Sequence, residues 1–173
     1  MKVLILGGYG LLGCRIGEYL SQNYEVTLAT RSIKKEKEKF INYQHQTISI
    51  DWDDNFNVKD QLRPHDVIVH CAGMNSFDSF KNPTQSMQFK YNSTFKIIDS
   101  IANKSNKTFI YISSAHVYSK DQIGTFNEEA ELLNQHPYAL ALKAGEKLIC
   151  KNSYENLSRS IILRCSNGFG APV

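Results

Sequence analysis

Short runs of apolar residues alternate with amphipathic stretches along the whole chain. The apolar runs predict six strands, over residues 2–6, 25–30, 47–51, 66–72, 108–113 and 159–165. Apolar residues at helical spacing predict helices over residues 11–22, 33–41, 84–104 and 137–152. Strands that alternate with helices indicate βαβ units, and therefore an α/β protein with a parallel sheet covered on both faces. The leading prediction is the doubly wound Rossmann fold with strand order 3-2-1-4-5-6.

A glycine-rich turn follows the first predicted strand directly and opens the first predicted helix. Gly7, Gly10 and Gly13 form a G-x-x-G-x-x-G pattern, with Leu11 and Leu12 between them. Residues without a Cβ let a pyrophosphate reach the free N–H groups and the positive end of the helix dipole. In this position the pattern predicts that all five residues bind a dinucleotide, against the alternative of a turn without a ligand.

Arg31 stands just after the second predicted strand, where dinucleotide-binding folds often have an acidic residue for the ribose 2′-OH of NAD. An arginine instead offers a planar, bidentate donor to the 2′-phosphate of NADP, and Lys34 or Lys35 would assist it. NADP is therefore the predicted cofactor and NAD the alternative. The competing interpretation is an arginine that is only exposed at a strand end.

Composition and charge exclude several classes of protein. The chain has 173 residues, 42% of them hydrophobic and 21% charged, which suits one domain over residues 1–173. A net charge of +3 is too small to argue for a nucleic-acid partner. The apolar run at the N-terminus ends after Leu6, too early for a signal peptide, and no stretch approaches the roughly 20 residues of a membrane span. We expect a cytoplasmic protein without a membrane partner, and no residue set predicts a metal site.

Further motifs follow the later strands and, with the glycine loop, resemble the extended short-chain dehydrogenase/reductase family. They are Asp51, the segment 66–73 (DVIVHCAG), the segment 113–118 (SSAHVY), Tyr138 in HPYALALKAGE, and the segment 163–170 (LRCSNGFG). The resemblance is to the NAD-dependent epimerases and dehydratases that act on nucleotide sugars. It implies an NAD(P)-dependent epimerase, dehydratase or reductase with a nucleotide-sugar substrate.

The resemblance also implies cofactor contacts beyond the glycine loop. Asp51 would contact the adenine amine, with Trp52 beside it. Ala72 and Gly73 would let the ribose and phosphate approach closely, because their side chains are small or absent. Asn92 would brace the strand ends at the active site.

At the reacting sugar, the resemblance implies that Ser114 hydrogen-bonds the reacting oxygen and that Tyr138 is the acid/base. Ser113 and Tyr138 are also implied to contact the cofactor. Asn167 would meet the diphosphate of the substrate. His116 lies where some dehydratase relatives have an acid, and the alternative is a surface histidine.

The third catalytic candidate, Lys143, departs from the family pattern. The family pairs its tyrosine with a lysine four residues later, which binds the nicotinamide ribose and lowers the pKa of the tyrosine. Here the fourth residue after Tyr138 is Leu142, and Lys143 is the fifth. One residue turns an α-helix by about 100°, so Lys143 is expected to point away unless a π-bulge brings it back. The unchanged distance to Ala144-Gly145-Glu146 favours a swap of two residues over an insertion.

The length of the chain is a second departure, since family members continue into a portion that closes over the sugar nucleotide. We expect either the N-terminal portion of a longer enzyme or a truncated relative without the substrate-binding part. A non-catalytic dinucleotide-binding module is the alternative function, favoured by Leu142 and opposed by the intact Ser114 and Tyr138. The apolar faces of residues 86–101 and 138–150 would form a homodimer interface, as in relatives, or simply cover the sheet.

Overall fold

The structure is a computed structural model that describes residues 1–31, 45–102, 106–153 and 159–168. The strands in these ranges are β1 Lys2–Leu6, β2 Glu25–Thr30, β3 Gln46–Ser49, β4 Val67–His70, β5 Thr108–Ser114 and β6 Arg159–Cys165. The α-helices are α1 Leu11–Leu20, α2 Asn55–Leu62, α3 Ser76–Lys81, α4 Pro83–Ile101 and α5 Pro137–Ser153, and a 3₁₀ turn, Ala115–Val117, follows β5. The predicted helix 33–41, with Lys34 and Lys35, lies outside the described residues.

The six strands form one parallel sheet in the order β3-β2-β1-β4-β5-β6, which confirms the predicted doubly wound Rossmann fold. The central strand β1 pairs with β2 on one side and with β4 on the other, so that Leu6 lies opposite both Ala29 and His70. Because all strands run in one direction, their carboxyl ends meet at one edge of the sheet. The strand order reverses between β1 and β4, and open α/β sheets bind ligands at such a switch point.

Two short helices, α2 and α3, were not expected from the hydrophobic pattern. Each begins at an N-cap whose side-chain oxygen accepts from backbone N–H groups. The Asp54 carboxylate accepts from Phe56 and Asn57, and the Asn75 amide oxygen accepts from Asp78. These capping residues were the signal that would have located both helices.

The core has one layer on each face of the sheet. On one face α2, α4 and α5 cover the strands, and the buried side chains include Leu4, Leu6, Ile68, Phe109, Tyr111, Leu62, Ile97, Leu142 and Ile149. On the other face, α1 packs on Val3, Ile5, Val26, Leu28 and Val69. The apolar faces of α4 and α5 therefore cover the sheet. None of the helices in the described ranges has both the length and the apolar character needed to cross a bilayer.

Candidate functional site

A cavity of about 290 Å³ opens at the switch point, between the carboxyl ends of β1, β2 and β4. Its volume is near the lower end of the range for ligand pockets. The lining includes six of the residues predicted to bind a cofactor, namely Gly7, Gly10, Arg31, Trp52, Ala72 and Gly73. Residues that are far apart in the sequence therefore line the same cavity.

The glycines of the loop differ in how much space the structure leaves for a side chain at each position. Gly7 has a φ of +80°, and a Cβ there would lie 2.8 Å from the backbone of Ala72. A Cβ at Gly13 would collide with the carbonyl oxygen of Gly7, because α1 begins close against the loop. A Cβ at Gly10 would meet only that same oxygen, at 3.2 Å. The fold therefore requires glycine at 7 and 13, whereas Gly10 keeps the space in front of α1 open.

The N-terminus of α1 has no side-chain cap, since its N-cap residue is Gly10. The first N–H groups of an α-helix have no partner within the helix and attract anions, with help from the helix dipole. Leu11 and Leu12, the first residues of α1, are exposed and stand outside the cavity lining. An uncapped helix start beside a cavity fits the pyrophosphate of a dinucleotide.

Trp52 and Arg31 form the part of the cavity next to β2 and β3. The Trp52 ring packs edge-on against Phe89, with 5.9 Å between the ring centroids, and its carbonyl accepts from the Lys96 ammonium. Arg31 is exposed at the end of β2, and no carboxylate in the described part of the chain pairs with it. Asp51 is exposed outside the cavity lining, and its carboxylate accepts from the N–H of Asp53 at 2.9 Å. Trp52, and not Asp51, lines the cavity.

Lys90 stands behind the wall that Ala72 and Gly73 form. It is only 4% exposed, and its Nζ donates to the carbonyl oxygen of Ala72 at 2.9 Å. Asn92, to which the resemblance assigns a bracing role at these strand ends, is exposed on the same helix. Residues two apart on a helix differ by about 200°, so both cannot face the sheet. Lys90 shares the buried face of α4 with Ser86 and Ser93.

A second cluster forms where β5 and β6 end and α5 begins. The Ser114 hydroxyl accepts from the N–H of His116 at 3.2 Å and lies close enough to the Tyr138 phenol to influence its pKa. The rings of His116 and Tyr138 meet edge to face, with 6.1 Å between their centroids. Cys165 pairs with Ser114 in the strand register. The structure therefore brings together Ser114, His116 and Tyr138.

Tyr138 is only weakly prepared to act as a base. Burial raises its pKa above the ordinary value of about 10, and the nearby Cys165 thiol raises it further. The nearby Ser114 hydroxyl, which can donate to the phenolate, lowers the pKa in part. The phenol is therefore protonated at neutral pH.

The helix around Tyr138 is a regular α-helix without a π-bulge. Leu142, four residues after Tyr138, is 5% exposed and belongs to the core. The Lys143 ammonium donates to the carbonyl oxygens of Leu132 and Asn134, at 3.0 and 2.6 Å. Both acceptors lie in the segment 119–135, which has no helix or strand and which we call the surface loop. Lys143 therefore ties this loop to α5.

Ser113 faces the opposite side of β5 from Ser114. It is buried, and its hydroxyl donates to the carboxylate of Glu146 on α5. Arg164 of β6 forms a salt bridge with Glu146, with 2.8 Å between Nη2 and Oε2, and also donates to the Glu128 carbonyl oxygen in the surface loop. The Ser113 hydroxyl is therefore engaged by Glu146, and the cofactor contact of Ser113 stays a prediction.

The remaining predicted site residue, Asn167, lies in an exposed segment just after β6. It stands outside the lining of the cavity. Among the described residues, no group of histidine, cysteine, aspartate and glutamate side chains is placed to hold a metal ion.

A parallel sheet of this order, with a glycine loop at its switch point and a serine and a tyrosine at the neighbouring strand ends, is the architecture of the short-chain dehydrogenase/reductase class. Comparison with known families identifies one family within this class, because the model of the NAD dependent epimerase/dehydratase family matches residues 3–172. The chain belongs to this family.

Relatives of known description agree with this membership. The chain is 28% identical over 179 residues to the low-salt glycan biosynthesis protein Agl12 of Haloferax volcanii, a match that covers 98% of this chain and 57% of that protein. It is 25% identical to a dTDP-D-glucose 4,6-dehydratase of Dictyostelium discoideum, covering 99% of this chain and 44% of the relative. The chain spans about half the length of the curated relatives it matches.

Solved structures share the fold. The UDP-Glc/GlcNAc 4-epimerase of Campylobacter jejuni superposes with a TM-score of 0.79 at 24% identity, over 94% of this chain and 52% of that one. The UDP-glucuronic acid 4-epimerase of Bacillus cereus, solved with UDP-glucuronic acid and NAD, has a TM-score of 0.81 at 22% identity, over 95% and 56%. At these identities the likeness is one of fold.

Proposed function

We propose that residues 1–173 form the dinucleotide-binding domain of an NAD(P)-dependent enzyme that epimerises, dehydrates or reduces a nucleotide sugar. The observation that carries this proposal is the position of two clusters along one edge of the sheet. The cavity lies at the ends of β1, β2 and β4, and the Ser114–Tyr138 pair lies at the end of the next strand. The similarity to a dTDP-D-glucose 4,6-dehydratase, and to an epimerase solved with UDP-glucuronic acid, supports a nucleotide-sugar substrate.

The residues of the cavity suit the parts of a dinucleotide. Gly10 and the N-terminus of α1 would hold the pyrophosphate, Trp52 the adenine and Arg31 the adenosine ribose with its phosphate. Ala72 and Gly73 would contact the portion that continues towards β5. When bound, a nicotinamide cofactor supplies reversible hydride transfer.

The chain's own residues supply binding and proton transfer at the sugar. The Ser114 hydroxyl would orient the reacting hydroxyl group, and Tyr138 would accept its proton at Oη. Asn167 would bind the diphosphate of the sugar nucleotide. Because the pKa of Tyr138 is raised, its basic form is scarce at neutral pH and becomes abundant only at alkaline pH. We therefore expect the rate to increase through the alkaline range.

Turnover tests the proposal. The chain is incubated with NAD or NADP and with UDP- or dTDP-linked hexoses, and products are identified by mass spectrometry and nuclear magnetic resonance. Tyr138→Phe removes the proton acceptor and should lower the rate about 10²–10⁴-fold. Tyr19→Phe, an exposed tyrosine on α1, is the matched control and should keep the wild-type rate. A Tyr138→Phe variant as fast as wild type would exclude the assigned role.

A second candidate function is a dinucleotide-binding module without catalysis. The burial of Leu142 and the attachment of Lys143 to the surface loop favour it, because within the described residues no ammonium pairs with Tyr138. Cofactor binding without turnover of any sugar nucleotide would support this candidate. A cytoplasmic location and a homodimer remain predictions; Tyr91 and Phe95 leave an exposed aromatic pair on α4 for such an interface.

We predict that NADPH binds more tightly than NADH, because the Arg31 guanidinium can bind the 2′-phosphate with two hydrogen bonds. Arg31→Asp should reverse the preference by about tenfold or more, since an acid repels the phosphate and accepts from a 2′-hydroxyl. Fluorescence titration of both cofactors measures this. Arg63→Asp makes the same charge change at the C-cap of α2 and should leave the ratio unaltered. Equal affinities in the wild type would contradict the prediction.

We predict that Gly10→Val weakens cofactor binding about 100-fold while the domain stays folded. Gly10 has φ −77° and ψ 163°, which valine adopts readily, and a Cβ there would need the Gly7 carbonyl oxygen, 3.2 Å away, to shift by only a few tenths of an ångström. The branched side chain would occupy the space where the pyrophosphate approaches. Gly13→Ala is the contrasting variant and should lose stability, because its Cβ has no room. A folded Gly10→Val variant with normal affinity would show that the loop is only structural.

A further inference from the structure

A buried lysine stands directly behind the cavity wall. Lys90 lies on the face of α4 that packs on the sheet, together with Ser86, Ser93 and Ile97. Lysine is almost never fully buried without a partner, because taking its charge out of water is costly. Its presence at the ligand edge of the sheet therefore needs a physical reason.

The contacts of the amine locate it one layer behind the cavity. Nζ donates to the Ala72 carbonyl oxygen at 2.9 Å and lies 4.5 Å from the centre of the Tyr111 ring. A Cβ on Gly73 would lie 3.8 Å from Nζ, so Gly73 keeps the layer thin. An ammonium has three donors. Among the described residues the amine has one oxygen acceptor and one aromatic face, and no carboxylate forms a salt bridge with it.

The groups that face Lys90 carry no charge near neutral pH. From β4, burial lowers the pKa of His70 well below its usual range and raises the pKa of Cys71 to about 12. From β5, burial raises the pKa of Tyr111 well above its ordinary value. Glu146 of α5 lies beyond Tyr111 and is paired with Arg164. Lys90 is therefore the group here that changes charge near neutral pH, since burial lowers its pKa to about 7.

We propose that Lys90 is a positioning residue for the dinucleotide: its ammonium holds the end of β4 and presents a positive charge to the cofactor's pyrophosphate through the thin wall of Ala72 and Gly73. The inference rests on the proposed function in one respect, that the cavity takes a dinucleotide. An anion in the cavity stabilises the charged amine, and the protonated amine in turn strengthens anion binding. Cofactor binding is therefore coupled to proton uptake at Lys90.

The direction of the pH effect follows from this coupling. The bound anion raises the pKa of Lys90 above its value of about 7 in the free protein. Affinity is highest where Lys90 is already protonated, and it falls as pH rises through the free-state pKa. The decrease approaches tenfold per pH unit while the complex stays protonated and the free protein does not.

Calorimetric titration with NAD tests the proposal. NAD is the probe because the 2′-phosphate of NADP titrates itself near neutral pH, whereas NAD has no such group. Affinity is measured between about pH 6 and pH 8.5, in two buffers of different ionisation enthalpy that reveal proton uptake. Wild type should lose affinity across this range and take up a fraction of a proton. Lys90→Met, which removes donor and charge at similar volume, should bind about tenfold more weakly at pH 6, with a flat profile.

Lys107→Met is the matched control. Lys107 is another buried lysine that donates to backbone carbonyls, of Arg63 and His65, but it precedes β5 at the opposite edge of the sheet. This variant should keep the wild-type pH profile. A Lys90→Met variant with the wild-type pH profile, or a Lys107→Met variant with a flat one, overturns the proposal.

The wild-type measurement decides even if a variant fails to fold. NAD binding without pH dependence or proton uptake would overturn the role of Lys90 and leave the proposed function standing. Failure of both NAD and NADP to bind at every pH would instead overturn the proposed function, and the role of Lys90 with it.

Discussion

Leu142→Lys, which puts a lysine four residues after Tyr138, is expected to destabilise the domain by about 3–5 kcal/mol and to leave the site inactive. Leu142 is 5% exposed and packs in the core beside Tyr111, whose hydroxyl donates to the Leu142 carbonyl oxygen at 3.0 Å. A lysine there would bury an ammonium, and the Glu146 carboxylate one helical turn later is already bonded to Arg164 and Ser113. Thermal and urea unfolding measure the loss, and we expect the midpoint temperature to fall by about 10 °C or more.

Lys143→Ala is the comparison for this prediction. It removes two hydrogen bonds to carbonyl oxygens of the surface loop and should cost about 1 kcal/mol, with cofactor affinity almost unchanged. The double change Leu142→Lys with Lys143→Leu should be at least as unstable as Leu142→Lys alone. A stable double variant that binds NADP(H) more tightly would contradict our assignment of helix faces. Loss of binding in Lys143→Ala would show that Lys143 serves the cofactor.

Arg164→Met is expected to cost about 3–5 kcal/mol of folding stability, the usual result when one partner of a buried ion pair is removed. Glu146 is 4% exposed and accepts from both Arg164 and the Ser113 hydroxyl. Without Arg164, its carboxylate stays buried without a countercharge. Adding Glu146→Gln to Arg164→Met should recover most of the loss, because a neutral amide can still bond Ser113. Urea unfolding of the three proteins measures both changes.

A surface ion pair supplies the control for Arg164. Nζ of Lys59 lies 2.9 Å from Oδ2 of Asp99, but both side chains are about half exposed to solvent. Lys59→Met should therefore cost no more than about 1 kcal/mol. If Arg164→Met costs as little as Lys59→Met, burial does not strengthen the Glu146 pair. Arg164 also donates to the Glu128 carbonyl oxygen, so its removal should make the surface loop easier to cleave with protease.

Elements that depend on local sequence were predicted well. The bounds of β1, β2 and β6 agree with the predicted ones, because their apolar runs are flanked by polar residues or glycine. The short helices α2 and α3 were missed because few apolar positions mark them and side-chain caps begin them. Propensity in short segments is weak, and capping and packing decide the outcome.

The candidate site likewise has features that could be predicted from the sequence and features that could not. The position of the glycine loop and Trp52 at the cavity, and the proximity of Ser114 to Tyr138, were predictable because each residue belongs to a motif contiguous with a strand or helix end. The burial of Lys90 was not predictable, since it depends on how α4 meets β4 and β5. The hydrogen bond of the Ser113 hydroxyl to Glu146 was not expected either, and it arises because neighbouring residues of a strand face opposite sides of the sheet. Contacts between elements that are far apart in the sequence therefore could not be predicted from the sequence.

The attachment of Lys143 to the surface loop makes the present order of residues 142 and 143 difficult for evolution to reverse. A lineage that first changed Leu142 to lysine would pass through a protein with a second cation in its core, beside a Glu146 carboxylate that Arg164 already neutralises. A lineage that first changed Lys143 would release the loop from α5 before any benefit at Tyr138 arose. Each position therefore sets the fitness effect of a substitution at the other. Such epistasis would preserve the exchanged order in descendants even where selection favoured faster catalysis.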